Sequence, residues 1–403
     1  MAGMSMEEYV NAYYGGMLGL SKEYGISKAD DPLDTDKTTY FNTMFGAKVF
    51  NQLNNESDVF KLLPKQPWNA SGWRVLTGRT TSASTPAGTY GIAEGSAFPE
   101  TDVPDILEVE TDMKEVVTAW DITTKASAMS TADDGLGNIE AFLKENASQD
   151  HMYYIDSFLM TQNGTLAGNN FESLDRLIGA NSEVALTGSG SQIAAGDLDP
   201  YGATAGNFDR DGGASDYLDS QVSLGTVGSS LAAARTLSLS LLDTVIGDAL
   251  EAGAKYEDLI LLTGYDTLEV IKQKINTASN ATWRMMMDGT QAGKNVGGVK
   301  SMPGANLDTR VGYYDSIPIF VSQHVPKATL VGGTSGISTG ISNIYLMDLS
   351  NVFFKVAVPT TYVSNEDLGV TQKLAREYAF ITGGEVIMPR FNTHGKIRDL
   401  ELS

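Results

Sequence analysis

The sequence predicts an α+β chain in which a helical arm, a long two-stranded ribbon and one long helix precede an inserted α/β segment, with a run of strands at the end. Three patterns carry that prediction. Between Trp73 and Lys125, Leu107, Val109, Thr111 and Met113, then Val116, Thr118, Trp120 and Ile122, alternate with polar residues, the period of a strand with one wet face. From Leu136 to Phe158 the apolar residues fall at helical spacing instead. Leu259 to Thr263 is a short apolar run without alternation, which marks a strand covered by helices on both faces.

Composition bounds the function. The 403 residues are 42% hydrophobic and 9% aromatic, enough for one large core or two medium ones. Fifty acidic against 28 basic residues give a formal charge of −22, and no basic cluster relieves it, so general affinity for a phosphate backbone is not expected. The absence of cysteine excludes disulfides, thiolate metal sites and cysteine nucleophiles. The opening MAGMSMEEYVNAYY lacks a basic start and a long apolar stretch, so no secretory signal is read there, and no window reaches the roughly 20 apolar residues that cross a bilayer. A soluble chain made in the cytoplasm, with no membrane partner, is expected.

Taken in order, residues 1–67 read as an arm, with Tyr40, Phe41, Met44, Phe45, Val49 and Leu53 at helical spacing after a break at Asp30, Asp31 and Pro32. Residues 68–125 form the ribbon. It holds too few large apolar side chains for a core of its own, and a two-stranded arm of that length is marginal alone, so another subunit is its expected support. Asp133 and Asp134 offer an N-cap to the long helix, predicted from about Leu136 to Gln162 with Asn163 and Gly164 as its stop. Its stripe is Leu136, Ile139, Leu143, Ala147, His151, Ile155 and Phe158, and His151 reads as a packed histidine because no second ligand shares its face.

Residues 171–343 change texture. A Gly, Asp and Ser rich insert from Gly188 to Asp219 leads to a helix on which Leu241, Val245 and Ala249 interleave with Leu242, Ile246 and Leu250 and that Gly253 ends. The strand Leu259–Thr263, a helix through Leu268, Ile271 and Ile275, and a strand Ile317–Val321 follow. From Ile344 the chain runs strand after strand, with a hairpin expected across Gly383 and Gly384, and these strands are expected to complete a domain of residues 126–170 and 344–403.

Catalytic signatures are missing from this text. His151, His324 and His394 occur without a serine elbow, paired acids or metal spacing, so no enzyme, catalytic residue or cofactor is predicted. Asp197, Asp199, Asp209, Asp211 and Asp216 crowd one insert, but Gly212 and Gly213 follow Asp211 at once, which breaks the calcium-loop spacing and favours a solvated loop. The glycines near Gly297 and from Gly332 to Gly340 lack the ending of a phosphate loop.

The order of arm, ribbon, long helix, α/β insert and returning strands resembles the major capsid proteins of tailed double-stranded DNA viruses, the HK ninety-seven-like fold. Glu94, Gly95 and Pro99, then Met113 to Val117 and Asp121 to Thr123, are similar to the family's extended loop and its return strand. Phe171, Leu174 and Ile178 resemble the start of its axial domain, and Ile317 to Ile319, Tyr345 to Ser350, Pro359, Ile387, Pro389 and Lys396 to Leu400 its exit. The resemblance implies an N-terminal arm, an extended β-hairpin loop, a peripheral domain with a spine helix and an inserted axial domain. It further implies a homo-oligomer of hexameric and pentameric capsomers around double-stranded DNA bound without sequence specificity. Portal and scaffolding or decoration proteins would be partners, in a virion assembled in the host cytoplasm. Trp73, Arg74, Arg79, Glu94, Gly95 and Pro99 become the expected subunit-interface residues. Some members crosslink through a loop lysine, but between Lys65 and Lys114 this sequence has only Arg74 and Arg79 as cations. Encapsulin shells, which enclose cargo enzymes, share the fold and are the alternative.

Overall fold

The computed structural model describes residues 58–80, 94, 103–132, 138–161, 169–183, 200–201, 218–227, 230–231, 235–277, 312–327, 340–364 and 375–401. The predicted arm before residue 58, the aspartate-rich insert at 197–216 except Pro200 and Tyr201, and the cap expected at Asp133 and Asp134 lie outside them. Two compact units partition the chain.

Along the chain, a short helix α1 (Val59–Leu62) and strand β1 (Lys65–Pro67) lead into the ribbon, β2 (Gly72–Thr80) and β3 (Val103–Glu110), followed by β4 (Lys114–Thr123). A helix α2 (Thr124–Ala132) comes next, where no helix was expected, because TKASAMSTA has no apolar stripe to announce one. The long helix α3 runs Ile139–Leu159. Its cap is Asn138, whose side-chain oxygen accepts from the Ala141 N–H at 3.1 Å, so the helix begins a few residues later than Leu136. The predicted stripe holds: Ile139, Ala147, His151 and Ile155 are buried. His151 is the packed histidine expected, with Nε2 at 2.8 Å from the Thr382 hydroxyl, and burial pushes its pKa down.

Helix α4 (Leu174–Leu177) opens the middle segment, capped by the Ser173 hydroxyl on the Asp175 N–H. Short strands β5 (Gln221–Ser223), β6 (Thr226–Val227), β7 (Ser230–Leu231) and β8 (Arg235–Thr236) precede helix α5 (Leu239–Glu251), strand β9 (Leu259–Thr263) and helix α6 (Tyr265–Thr277). Gly253, at φ +98°, closes α5 as predicted, since only glycine adopts that backbone without strain. Strands β10 (Gly312–Tyr314), β11 (Ile317–Val321), β12 (Ile344–Asp348), β13 (Phe353–Val363), β14 (Ala375–Ile387), β15 (Gly395–Ile397) and β16 (Leu400–Glu401) complete the order.

A six-stranded sheet runs β10-β11-β9-β12-β15-β5. Strand β9 is buried at all five positions, as its unbroken apolar run requires. Strands β12 and β15 belong to this sheet, which departs from the expectation that every strand after Ile344 returns to the domain of the long helix. The reason is visible in the chemistry: Ile344–Asp348 is also buried at every position, so it needs cover on both faces. Only β13 and β14 return, forming the four-stranded sheet β1-β13-β14-β4. The hairpin expected across Gly383 and Gly384 is instead one continuous strand, β14. Gly384 lies there because a Cβ would stand 2.2 Å from the Lys355 carbonyl and 2.6 Å from the Phe354 ring.

The larger unit holds two buried clusters. In one, the Phe354 ring takes Phe60 and Phe171 edge-on at centroid distances of 5.1 and 5.0 Å, beside Val59, Leu62, Leu63 and Ile155. The other packs α5 and α6 against the six-stranded sheet through Val245, Ile246, Ile271, Leu261, Ile319 and Leu346. The smaller unit, residues 117–150 and 361–380 among those described, has its own cluster of Ile122, Ala126, Ile139 and Tyr378, with Trp120, Leu143 and Tyr362 against it.

Candidate assembly surface

The ribbon is an antiparallel pair in which Trp73 faces Val109, Arg74 faces Glu108 and Leu76 faces Ile106, with a register shift between Leu76 and Gly78. Because side chains alternate, Trp73, Val75 and Val109 fall on one face and Arg74, Leu76, Ile106 and Glu108 on the other. The inner face is anchored. Val109 is buried, Trp73 and Val75 pack on the larger unit's first cluster, and Trp73 meets the Tyr201 ring edge-on at 5.4 Å. Tyr201 in turn donates to the Val386 carbonyl and accepts from the Met388 N–H, so the aromatic pair is tied to the end of β14.

The outer face is wet. Leu76 and Ile106 are each 58% exposed and directly opposite one another, an apolar pair with nothing over it among the described residues. Beside it Arg74 donates to Glu108 at 2.9 Å, with both side chains well exposed, a pair that contributes little alone. Arg74 thus has an acid partner within its own ribbon.

At the ribbon's root the Thr111 N–H donates to the Ser71 carbonyl, and Gly72 lies so close to the Val109 carbonyl that a Cβ would approach it to 2.6 Å. Lys114, the first residue of β4, reaches a buried carboxylate cluster. Its ammonium is 3.0 Å from Glu385 Oε2 and 3.9 Å from Glu172 Oε2, and Arg176 stands 3.4 Å from Glu172 Oε1. Glu385 Oε1 accepts from the Glu172 and Val386 backbone N–H groups. Burial pushes the Glu385 carboxyl up to about 7, against the pull of Lys114 and of those N–H donors.

A second buried network ties α4 to the last strands. Lys396 donates to the Asp175 carbonyl and lies 2.9 Å from Glu183 Oε1, Arg398 reaches the same Glu183 oxygen at 2.7 Å, and the Tyr345 hydroxyl donates to Asp175 at 2.5 Å. Burial, then the Asp175 charge, push the Tyr345 hydroxyl well up. Burial opposes the charge on Arg398, but Glu183 and Asp399 outweigh it and its guanidinium holds its proton more tightly than usual. Neither network was foreseen from sequence. The only hint was the density of charge in Lys396, Arg398 and Asp399 around two apolar residues.

Of the expected interface residues, Trp73 lies on the anchored face and Arg74 on the wet one. Arg79 belongs to β2, and Glu94 is exposed in a turn. Gly95 and Pro99 lie outside the described residues. Among the described residues no group of His, Asp and Glu has metal-binding geometry, and no helix is long and apolar enough to cross a membrane.

No family model matches the chain, and no curated protein matches it. Solved structures do. A chain of the cyanophage A-1(L) capsid asymmetric unit is 14% identical, with a TM-score of 0.55 over 88% of this chain and 95% of that one. A chain of the capsid of a native GTA particle is 12% identical, with a TM-score of 0.51 over 94% of this chain and 97% of that one. At such identity only the backbone path is shared, and it is shared almost end to end. The chain therefore has the HK ninety-seven-like fold of phage and GTA capsid proteins.

Proposed function

We propose that this chain is the major capsid protein of a tailed virus, assembling as hexamers and pentamers into an icosahedral shell around double-stranded DNA, and that it is not an enzyme. The observation that carries the reading is the ribbon: one face anchored on the body, the other presenting the Leu76–Ile106 apolar pair beside Arg74 and Glu108. A second copy is the natural cover, since exposed apolar pairs on a thin ribbon gain about 25 cal/mol per Å² when buried, before entropy is subtracted. Trp73 would set the ribbon's pitch, Arg79 and the Arg74–Glu108 pair would make the charged contacts with the neighbour, and Glu94, Gly95 and Pro99 would shape the tip. The reading divides the chain into an arm (1–67), an extended loop (68–125), a peripheral domain (126–170 and 344–403) and an axial domain (171–343), with β12 and β15 sharing the sheet of β9 and β11. A formal charge of −22 suits a wall along which packed DNA slides without sticking, and portal, scaffolding or decoration proteins would complete the virion.

The test is deletion of residues 76–108. The shortened chain should stay folded and soluble yet form no closed particles in negative stain; normal particles would refute the ribbon's role. The contents of wild-type particles separate the genome-filled shell from a compartment for cargo enzymes: nuclease-protected DNA supports the first and co-purifying protein cargo the second.

A further inference from the structure

The wet face of the ribbon is complementary to itself. From root to tip its three rungs are Gly72 opposite Glu110, Arg74 opposite Glu108 and Leu76 opposite Ile106, and the five side chains on these rungs are all exposed. The ribbon's own body cannot cover them, because Trp73 and Val75 hold the opposite face on the larger unit's first cluster. Two copies can meet face to face about a two-fold axis in only two ways that keep the rungs in register. An axis across the ribbon at its middle rung sets Arg74 on Arg74 and Glu108 on Glu108, which repel. An axis along the ribbon, between its strands, sets each rung on its own reverse. Leu76 of one copy then lies over Ile106 of the other, Arg74 over Glu108, and Glu110 over Gly72, where no side chain stands in its way.

We propose that the outer face of the ribbon is a two-fold contact with a second copy of this chain, in which two ribbons lie face to face with their tips pointing the same way. The shell reading above underlies this, and the two-fold names the surface on which two copies meet. Four apolar side chains leave water together at its centre. Beside them the Arg74–Glu108 pair of each ribbon joins that of the other, so every cation lies near two acids, a network rather than a lone exposed pair. Its size sets its use. Three rungs of a two-stranded ribbon measure roughly 10 by 17 Å. That is on the order of 350 Å² over both copies, against the roughly 1,200 Å² or more of a stable interface. Free chains are therefore not held as pairs by this contact, which counts only where a closed shell repeats it many times.

The test exchanges charge between copies of the full chain. Arg74→Glu puts only acids on the charged rungs of both copies, and Glu108→Arg puts only bases on the middle ones. Each variant alone should lose closed particles in negative stain by more than about tenfold. Mixed in equal amounts, the two should recover them, because the new acid of one copy lies over the new base of the other and Glu108 over Arg74. Mixing mends no pair within either chain, so recovery reports a contact between copies and not a repaired ribbon. The double variant Arg74→Glu with Glu108→Arg should assemble like the wild type. Normal particles from either single variant, a mixture no better than its parts, or a double variant that fails each overturn the proposal. Wild-type particles test the shell reading separately. If there are none, that reading falls, and the contact is read instead on a Leu76→Cys chain, whose thiol is the only one in the sequence. At millimolar concentration a short bis-maleimide should join that chain into dimers and nothing larger; monomers alone, or a ladder of higher species, overturn the two-fold.

Discussion

Asp156 offers a sharp test of how the chain before the ribbon is held. Its carboxylate is fully buried in α3, one oxygen accepting from the Asp58 N–H at 2.6 Å and the other from the Phe60 N–H at 2.7 Å. Replacing it with alanine orphans both donors. Hydrogen bonds to a charged group contribute about 1.5–3 kcal/mol each, so the gross loss is about 3–6 kcal/mol. Two effects decide the net. Recovered desolvation of the buried carboxylate pulls the figure down. Escape of the segment into water would rescue the donors, but Val59, Phe60, Leu62 and Leu63 are buried and together hold it with about 6–12 kcal/mol of apolar burial. The Phe60 N–H therefore stays buried and the Asp58 N–H partly buried without the carboxylate, and Asp156→Ala should cost about 3–4 kcal/mol. Asp156→Asn keeps one acceptor and should lose about half as much. Urea unfolding at pH 7 measures both. A loss below about 1 kcal/mol for alanine, or no advantage of asparagine over alanine, would refute the reasoning. Loss of the carboxylate also leaves Lys65, whose pKa burial already lowers against the pull of Asp156, with less reason to stay charged.

Further outcomes follow from other positions. His394 is fully buried, accepts from the Asp348 N–H through Nδ1, and is pushed down to about 4 chiefly by burial. Since the unfolded histidine binds its proton near 6.5 and the folded one does not, stability is complete above pH 6.5 and falls toward pH 4, by on the order of 3 kcal/mol. His394→Gln should flatten that acid limb in a pH series of urea melts, and an unchanged limb would exonerate the histidine. Glu385 works in the opposite direction between pH 4.5 and 7, so the wild-type profile partly cancels and the single variants expose the two slopes. Gly384→Ala places a methyl 2.2 Å from the Lys355 carbonyl, and separation of β13 from β14 should yield insoluble protein or a melting temperature lowered by more than 10 °C, roughly. Arg74→Glu, by contrast, should shift the melting temperature of the unassembled chain by no more than about 2 °C, because its pair is exposed, while impairing particle formation.

Much of this architecture is readable from local chemistry. Val116, Thr118, Trp120 and Ile122 alternate because β4 has one wet face, and they take the less exposed positions of that strand. The stripe of α3 is equally plain because a long helix must bury one side along its whole length. What escaped has a common cause. Ile344–Asp348 carries the double-buried signature, but nothing local says which of two sheets it joins; that is set by its pairing with β9, some 80 residues upstream. Gly383 and Gly384 read as a turn because a turn and a close approach demand the same residue. The charged clusters depend on partners brought together by the fold, such as Lys396 and Asp175, which are 221 residues apart in sequence. For the ribbon, alternation gives the strands but not their register shift, which depends on a bulge between Leu76 and Gly78.

The way the six-stranded sheet is sewn has a consequence for synthesis. Its second-to-last strand, β15, comes from residues 395–397 and pairs with both β12 and β5, while β16, at 400–401, pairs with β8. A ribosome that stalls anywhere earlier releases a polypeptide whose sheet has a gap between β12 and β5, with the apolar flank of α5 uncovered. Such a fragment, with apolar surface exposed, is a substrate for chaperones and proteases. The strand order thereby makes completion of the six-stranded sheet wait for the synthesis of β15.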